Sequence, residues 1–241
     1  PRYLCGCVFD PVNKLGIEVV LYDIDERFHI VDDINLATGD ILYYVNYFGL
    51  CQAYQEKLIA TYEPSQIIFD HAQAFFSNAF PVLGTIFSPR KFMGIPDGGF
   101  LVTSTEIASN FIEDDGSINR MTHLLKRLAY SASEGYIDFK VADNSLCDQT
   151  PKYMSRLTKT LMRRLDFSEI AKQRTENFNQ IHEVLGKYNE LEIPTSLNGP
   201  MCYPFYSRIP ELRKHLIANK IYVPTYWPDA EFTLTSGTLG K

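Results

Sequence analysis

No apolar run in this chain of 241 residues approaches the roughly 20 residues needed to cross a bilayer as a helix. The opening Pro1-Arg2-Tyr3 shows no signal-peptide pattern, so no membrane is expected among the partners. An excess of basic charge is also lacking. Twenty-three Lys and Arg face 29 Asp and Glu, a net charge of -6, which argues against nucleic acid or an anionic surface as ligand. The five cysteines, Cys5, Cys7, Cys51, Cys147 and Cys202, are odd in number and scattered. That pattern fits thiols kept reduced in a cytoplasm better than a disulfide framework. One residue between Cys5 and Cys7 is a poor zinc spacing, no second pair completes a site, and both are read as packing residues. The histidines, His29, His71, His123, His182 and His215, have no metal-ligand spacing. Asp23, Asp25, Asp32 and Asp33 lack the spacing and glycine of a calcium loop and read as a solvated connection. No metal is therefore expected. Internal repeats and low-complexity segments are absent.

What is present is enough apolar sequence for a real core, 45% of residues, arranged as short buried runs. The stretch 67–100 organises the rest. Ile67-Ile68-Phe69 stops at Asp70, with Gln73 close behind, and Leu83 to Phe87 stops at Ser88, with Lys91 three residues on. Continuous β-branched and aromatic runs read as parallel strands, and ligands bind outside the carboxyl ends of such strands. An acid, an amide, a hydroxyl and an amine are thus expected at one sheet edge. Together they suit pyridoxal 5'-phosphate: a lysine forms the Schiff base, an acid holds the pyridine nitrogen protonated, and a hydroxyl with backbone N–H groups holds the phosphate. A lysine in that role is expected to be buried near a cationic ring, which favours its neutral form.

Along the chain, Cys5 to Leu15 predicts a short helix capped at Gly16, and Glu18 to Tyr22 a strand. Ile41 to Val45 predicts a strand closing at Asn46, which either donates to the ring hydroxyl of a cofactor or simply turns the chain. Gln52 to Thr61 predicts a helix, broken at Pro64-Ser65. Strand, helix, strand in this rhythm signals a parallel sheet. No long helix fits between the Asp70 and Lys91 strands, and Gly98-Gly99 allows a reversal into an antiparallel strand over Phe100 to Thr103. Met121, Leu124, Leu125 and Leu128 lie on one face of a helix predicted over Asn119 to Tyr130. Residues 131–151 read as a loop, and Lys152 to Leu165 as a second amphipathic helix. Asp166-Phe167-Ser168-Glu169 is a helix start, opening a long helix to about Tyr188. Strands over Met201 to Tyr206 and at Tyr222-Val223 flank a helix over Ile209 to Lys220 with Pro210 in its first turn. The expected fold class is α/β: a mostly parallel central sheet flanked by helices over residues 1–165, with a smaller α+β domain over 166–241.

Asp70-His71-Ala72-Gln73-Ala74, then Ser88-Pro89-Arg90-Lys91, then Gly98-Gly99 entering Phe100-Leu101-Val102 resemble, in order, segments of pyridoxal-phosphate enzymes with the aspartate-aminotransferase fold. The chain is most similar to the DegT/DnrJ/EryC1/StrS sugar aminotransferase family. Met154-Ser155 and the segment from Tyr222 to Trp227 look like those of its less typical members. The resemblance implies that Lys91 forms the Schiff base and moves the proton. It implies that Asp70 pairs with the pyridinium nitrogen, that Gln73 meets the ring hydroxyl, and that Ser88 binds phosphate with Arg90 nearby. His71 either stacks on the ring or packs in the core.

The resemblance further implies a homodimer that passes an amino group from glutamate to a nucleotide-linked keto sugar. Two features depart from the pattern. The Asn-Tyr-Arg-Met-type segment that reaches a partner subunit's cofactor is not found, and neither are the family's N-terminal phosphate loop and ring-stacking aromatic residue. The chain is therefore expected to be a fragment, trimmed at both ends. A lyase or desulfurase with the same cofactor is the alternative, although Arg90 stands where desulfurases carry His. A relative that keeps the fold as a binding subunit without chemistry is another.

Overall fold

The computed structural model describes residues 1–107, 110–194, 196–224 and 226–227. Thr225 and residues 228–241, which belong to the expected C-terminal domain, lie outside them. The chain is α/β. Its centre is a four-stranded mixed sheet in the order β1 (Leu42–Val45), β2 (Ile67–His71), β3 (Gly84–Phe87), β4 (Phe100–Val102). β1, β2 and β3 run parallel and β4 is antiparallel to β3. The register pairs Val45 with Asp70 and Asp70 with Ile86, so the carboxyl ends of the three parallel strands lie side by side.

The strand sequences explain the elements. Leu42-Tyr43-Tyr44-Val45 and Ile67-Ile68-Phe69 are β-branched and aromatic, the residue types that fit a pleated, half-buried surface. Leu42, Tyr44, Ile67 and Phe69 are buried on one face. The other face carries Tyr43, Ile68 and Ile86 and stays partly open, with Ile86 38% exposed. The helix α2 (Gln52–Thr61) makes the crossover from β1 to β2, with Gln55 and Leu58 buried. Residues 72–83 join β2 to β3 without a regular helix, as the short spacing before Pro81 requires.

Contacts divide the chain into two compact units. One comprises Leu36–Phe178 and Ser196–Cys202 and holds the sheet; the other comprises Pro1–Asn35, Asn179–Thr195 and Tyr203–Lys241. This division falls inside a helix, after Phe178, and it groups the first 35 residues with the C-terminal segments.

Within the sheet unit, an aromatic and methionine cluster of Phe92, Met93, Ile95 and Met162 is joined by Phe75, Phe76 and Ile170. The phenyl ring of Phe75 lies 5.9 Å from Phe92 and 6.3 Å from Phe87, so the β2–β3 link packs directly under the turn that follows β3. The region 117–162 is helical: α3 (Ser117–Arg120), α4 (Thr122–Ala129), α5 (Tyr136–Asn144) and α6 (Arg156–Met162). One expectation is corrected here. Residues 131–151 are not all loop, because α5 pairs with α4 through Lys126 and Asp138 at 2.6 Å and through the rings of His123 and Phe139. On the apolar face of α4, Leu125 and Leu128 are 56% and 86% exposed. The helix α7 (Phe167–Leu185) begins where the sequence places it, with Asp166 Oδ1 accepting from the Glu169 N–H at 3.0 Å.

The second unit is irregular where strands were expected. Glu18 to Tyr22, Met201 to Tyr206 and Tyr222-Val223 form no strand. Over Tyr203 to Tyr206 the reason is competition for backbone hydrogen bonds. Asn189 Oδ1 accepts from the N–H groups of Leu191 and Tyr206, and its Nδ2 donates to the Pro204 carbonyl. One side chain therefore takes the groups a neighbouring strand would need. The last helix, α8 (Leu212–Ala218), starts two residues after Pro210 instead of around it. The acidic connection is tied down locally. Asp25 Oδ1 accepts from the N–H groups of Arg27 and His29, and Asp32 accepts from that of Asp23. Cys5 and Cys7 do not pack; both are exposed. Among the described residues no helix is long and apolar enough to cross a membrane, and no group of His, Cys, Asp or Glu is set to hold a metal ion.

Candidate functional site

Asp70 is the last residue but one of β2, and its side chain is buried. Tyr43 donates its hydroxyl to Oδ2 at 2.9 Å, and the Ala72 N–H donates to Oδ1 at 2.7 Å. Both donors fix the direction of the carboxylate. The Asn46 N–H continues the ladder to the Asp70 carbonyl, so the acid sits where parallel pairing ends.

One strand over, β3 ends at Phe87, and Ser88-Pro89-Arg90-Lys91 turns away from the sheet. Pro89 opens a tight turn through Lys91 and is itself buried. Ser88 is half-buried and Lys91 is exposed. The chain then enters the core at Phe92 and Met93, so Lys91 is the last residue before an anchor. The sequence missed what locks that anchor. Arg174 on α7 donates to the Phe92 carbonyl at 2.8 Å and to the Met201 carbonyl at 2.9 Å, and its guanidinium lies 4.8 Å over the Phe92 ring. Burial pushes the Arg174 pKa below the usual arginine value. The burial expected around the Lys91 amine is not supplied by this fold.

Gln73 Oε1 accepts from the Phe48 N–H at 3.1 Å. Phe48 and Gly49 both have positive φ, 56° and 82°. A Cβ on Gly49 would lie 3.5 Å from the Gln73 carbonyl oxygen and from the Pro200 Cα. The turn after β1 is thus built to press against Gln73, and its Oε1 is committed while its NH2 is the end able to donate to a ligand oxygen.

Asn46 and His71 go elsewhere. Successive strand residues point to opposite faces, so His71 faces away from Asp70. Asn46 Nδ2 donates to Gln55 Oε1 at 2.8 Å and to Ser77 Oγ at 3.3 Å, while Asn46 Oδ1 accepts from the Cys51 N–H at 2.9 Å, next to the start of α2. With Gln55 Oε1 so engaged, Gln55 Nε2 donates to His71 Nε2 at 2.9 Å. The His71 ring stacks on Phe69 and meets the edge of Phe87, and Nδ1 is buried with no hydrogen-bond partner. Burial lowers its pKa to about 4. Of the two readings each residue had, the core and turn roles are the ones these contacts fill.

No family model, curated protein or solved structure matches this chain. Its chemistry therefore has to be read from the residues it brings together. Asp70 in β2 with Gln73 just after it, and Ser88 with Lys91 just after β3, stand near the carboxyl ends of two paired strands, while Asn46 and His71 join a buried chain on the other face. Arg90, the further phosphate candidate, is paired with Asp143 at 3.0 Å.

A second polar cluster was not foreseen. Asp97, buried just before Gly98-Gly99, accepts from Ser117 Oγ at 2.6 Å, from Thr158 Oγ1, and from Arg120 at 2.8 Å. Arg120 also bonds Asp114 at 2.9 Å and Ser145 at 3.0 Å. Burial works against both charges. The hydrogen bonds between them win, so the Asp114 pKa lies below and the Arg120 pKa above its ordinary value. This cluster borders a cavity of about 250 Å³ whose lining includes Arg90, Asp114, Lys152 and Ser155. The sequence signal was the Asp97-Gly98-Gly99 turn, where φ of +105° at Gly98 brings the chain against Met154 and Thr158.

Proposed function

We propose that the intact protein is a pyridoxal-phosphate-dependent aminotransferase of the aspartate-aminotransferase fold. Its reaction moves an amino group from glutamate to a nucleotide-linked keto sugar in the cytoplasm, and it works as a homodimer. The observation that carries the reading is the pairing of Asp70 with Ile86 in adjacent parallel strands. It puts a fixed carboxylate beside the turn that bears Ser88 and an accessible Lys91 amine.

The donor set fits such a group. Asp70 accepts one donor on each carboxylate oxygen and keeps lone pairs for a third. Gln73 has its NH2 to offer a ring oxygen, and Ser88 a hydroxyl to offer a phosphate. Pyridoxal phosphate, when bound, supplies an electron sink next to the substrate's α-carbon. Asp70, aimed by Tyr43 and the Ala72 N–H, would face the ring nitrogen and hold its proton. Lys91 Nζ would accept the proton from the substrate's α-carbon, which requires a mobile amine on a fixed backbone. The Phe92–Arg174 anchor provides the fixed backbone. Asn46 and His71 hold the ends of β1 and β2 from below and do not touch the reacting atoms.

The competing reading, a scaffold that keeps the fold without the chemistry, is favoured by one observation: the amine of Lys91 stands exposed. Borohydride reduction of the full-length protein after incubation with pyridoxal phosphate separates the two. A pyridoxyl group on Lys91, lost in Lys91→Ala and weakened about tenfold or more in Asp70→Ala, is the expected result. An unmodified protein, or modification spread evenly over surface lysines, rules out the enzyme reading.

A further inference from the structure

Cys5 and Cys7 flank a single glycine at the start of a short helical turn, Gly6–Val8. Both thiols are exposed, and the Cys7 Sγ–H points at Cys5 Sγ at 3.1 Å. A disulfide needs sulfurs about 2.05 Å apart, so closure asks for a shift of about 1 Å in two side chains and no movement of a packed element. Gly6 does not obstruct it: a Cβ built there would meet nothing within 4 Å, so the loop has open space on that side. Two buried cysteines would be inert packing residues, which is what the sequence suggested. Two exposed thiols in contact are chemically a different object, because the second can resolve any mixed disulfide formed on the first.

We propose that Cys5-Gly6-Cys7 is a reversible dithiol–disulfide site that reacts with small-molecule disulfides of the glutathione class. The thiolate of one cysteine attacks a sulfur of the oxidised partner, forming a protein–glutathione mixed disulfide and releasing one glutathione thiolate. The other cysteine, as thiolate, then attacks the protein sulfur of that mixed disulfide. The Cys5–Cys7 bond forms and the second glutathione leaves. Two protein thiols are oxidised and one disulfide is reduced to two thiols, the two protons lost by the cysteines being taken up by the two glutathione thiolates. Excess reduced glutathione runs the same steps backwards. The proposal is independent of the aminotransferase reading.

The test uses the full chain and oxidised glutathione, with alkylation of remaining thiols and mass analysis of the peptides. Cys147, exposed and without a neighbouring thiol bonded to it, is the internal control. The expected result is a Cys5–Cys7 peptide lighter by two hydrogens and unalkylated, with glutathione retained there at about one-tenth of its level on Cys147, since resolution outpaces accumulation. Cys5→Ser and Cys7→Ser should each leave a stable glutathione adduct on the remaining cysteine, because the resolving thiol is gone. Both substitutions are at exposed positions, so folding is not at issue. A stable adduct on the wild-type pair without ring closure overturns the proposal, and so does oxidation of the pair no faster than that of Cys147 followed by intermolecular dimers.

Discussion

The carboxyl end of the β2–β3 pair and the cluster around Asp97 are both rich in charge, yet they are built in opposite ways. Around Asp97 every charge has its partner in the fold: Arg120 joins Asp97 and Asp114, and Ser117, Thr158 and Ser145 take up the remaining hydrogen bonds. At the other end, Asp70 is aimed by Tyr43 and Ala72, while Ser88 and Lys91 stand at or near the surface. A buried polar group has to be satisfied within the protein. A group that is positioned on a rigid anchor and left accessible can be satisfied by something else. The contrast teaches that saturation marks the structural cluster and accessibility the candidate site, although both contain the same residue types.

The strongest way to break this contrast is to remove one partner from the saturated cluster. Arg120→Ala should destabilise the protein by about 3–5 kcal/mol, because it leaves the buried Asp97 carboxylate without its counter-charge. Urea unfolding measures it, and a loss below about 1 kcal/mol would mean that the cluster is solvated rather than structural.

Acidification probes the buried chain under the sheet. Folded His71 stays neutral down to about pH 4, whereas the unfolded chain protonates it below about 6.5. Between those values the unfolded state binds more protons, so stability falls as pH falls. The loss from this one residue reaches about 3 kcal/mol near pH 4 and grows no further below it. His71→Gln should flatten the stability profile between pH 6.5 and 4, and an unchanged slope would assign the acid sensitivity to other groups. The smallest effect is expected at the site itself. Lys91→Ala should change stability by no more than about 0.5 kcal/mol while removing the pyridoxyl adduct. A destabilisation as large as that of Arg120→Ala would put Lys91 among the structural residues.

Much of the sheet was legible in the sequence because its signals are local. The runs at Leu42, Ile67 and Gly84 end within a residue or two of polar stops, α2 spans the predicted Gln52 to Thr61, and the Gly98-Gly99 reversal does lead into an antiparallel strand. The Asp70-to-Lys91 spacing was legible for the same reason, as both residues follow strand ends. The partners of each group were not legible. Arg174 lies far along the chain from Phe92, and Asp97 is reached by Ser117 and Arg120 from α3 and by Thr158 from α6. The strand expected over Met201 to Tyr206 shows the same limit. A strand is decided by a partner at long sequence distance, and at Pro204 and Tyr206 Asn189 supplied other bonds.

By itself, then, the sequence determined the α/β class, the ends of the sheet's strands, the starts of α2 and α7 and which residue types stand at the sheet's carboxyl edge, because periodicity, capping and turn chemistry act within a few residues. Only the tertiary structure decided that Asp70 faces one side of the sheet and His71 the other, that Asn46 serves the core, that Lys91 is accessible, and that Cys5 and Cys7 touch in the open. Those outcomes depend on which distant side chain takes each hydrogen bond and which face finds cover, and no local pattern carries that information.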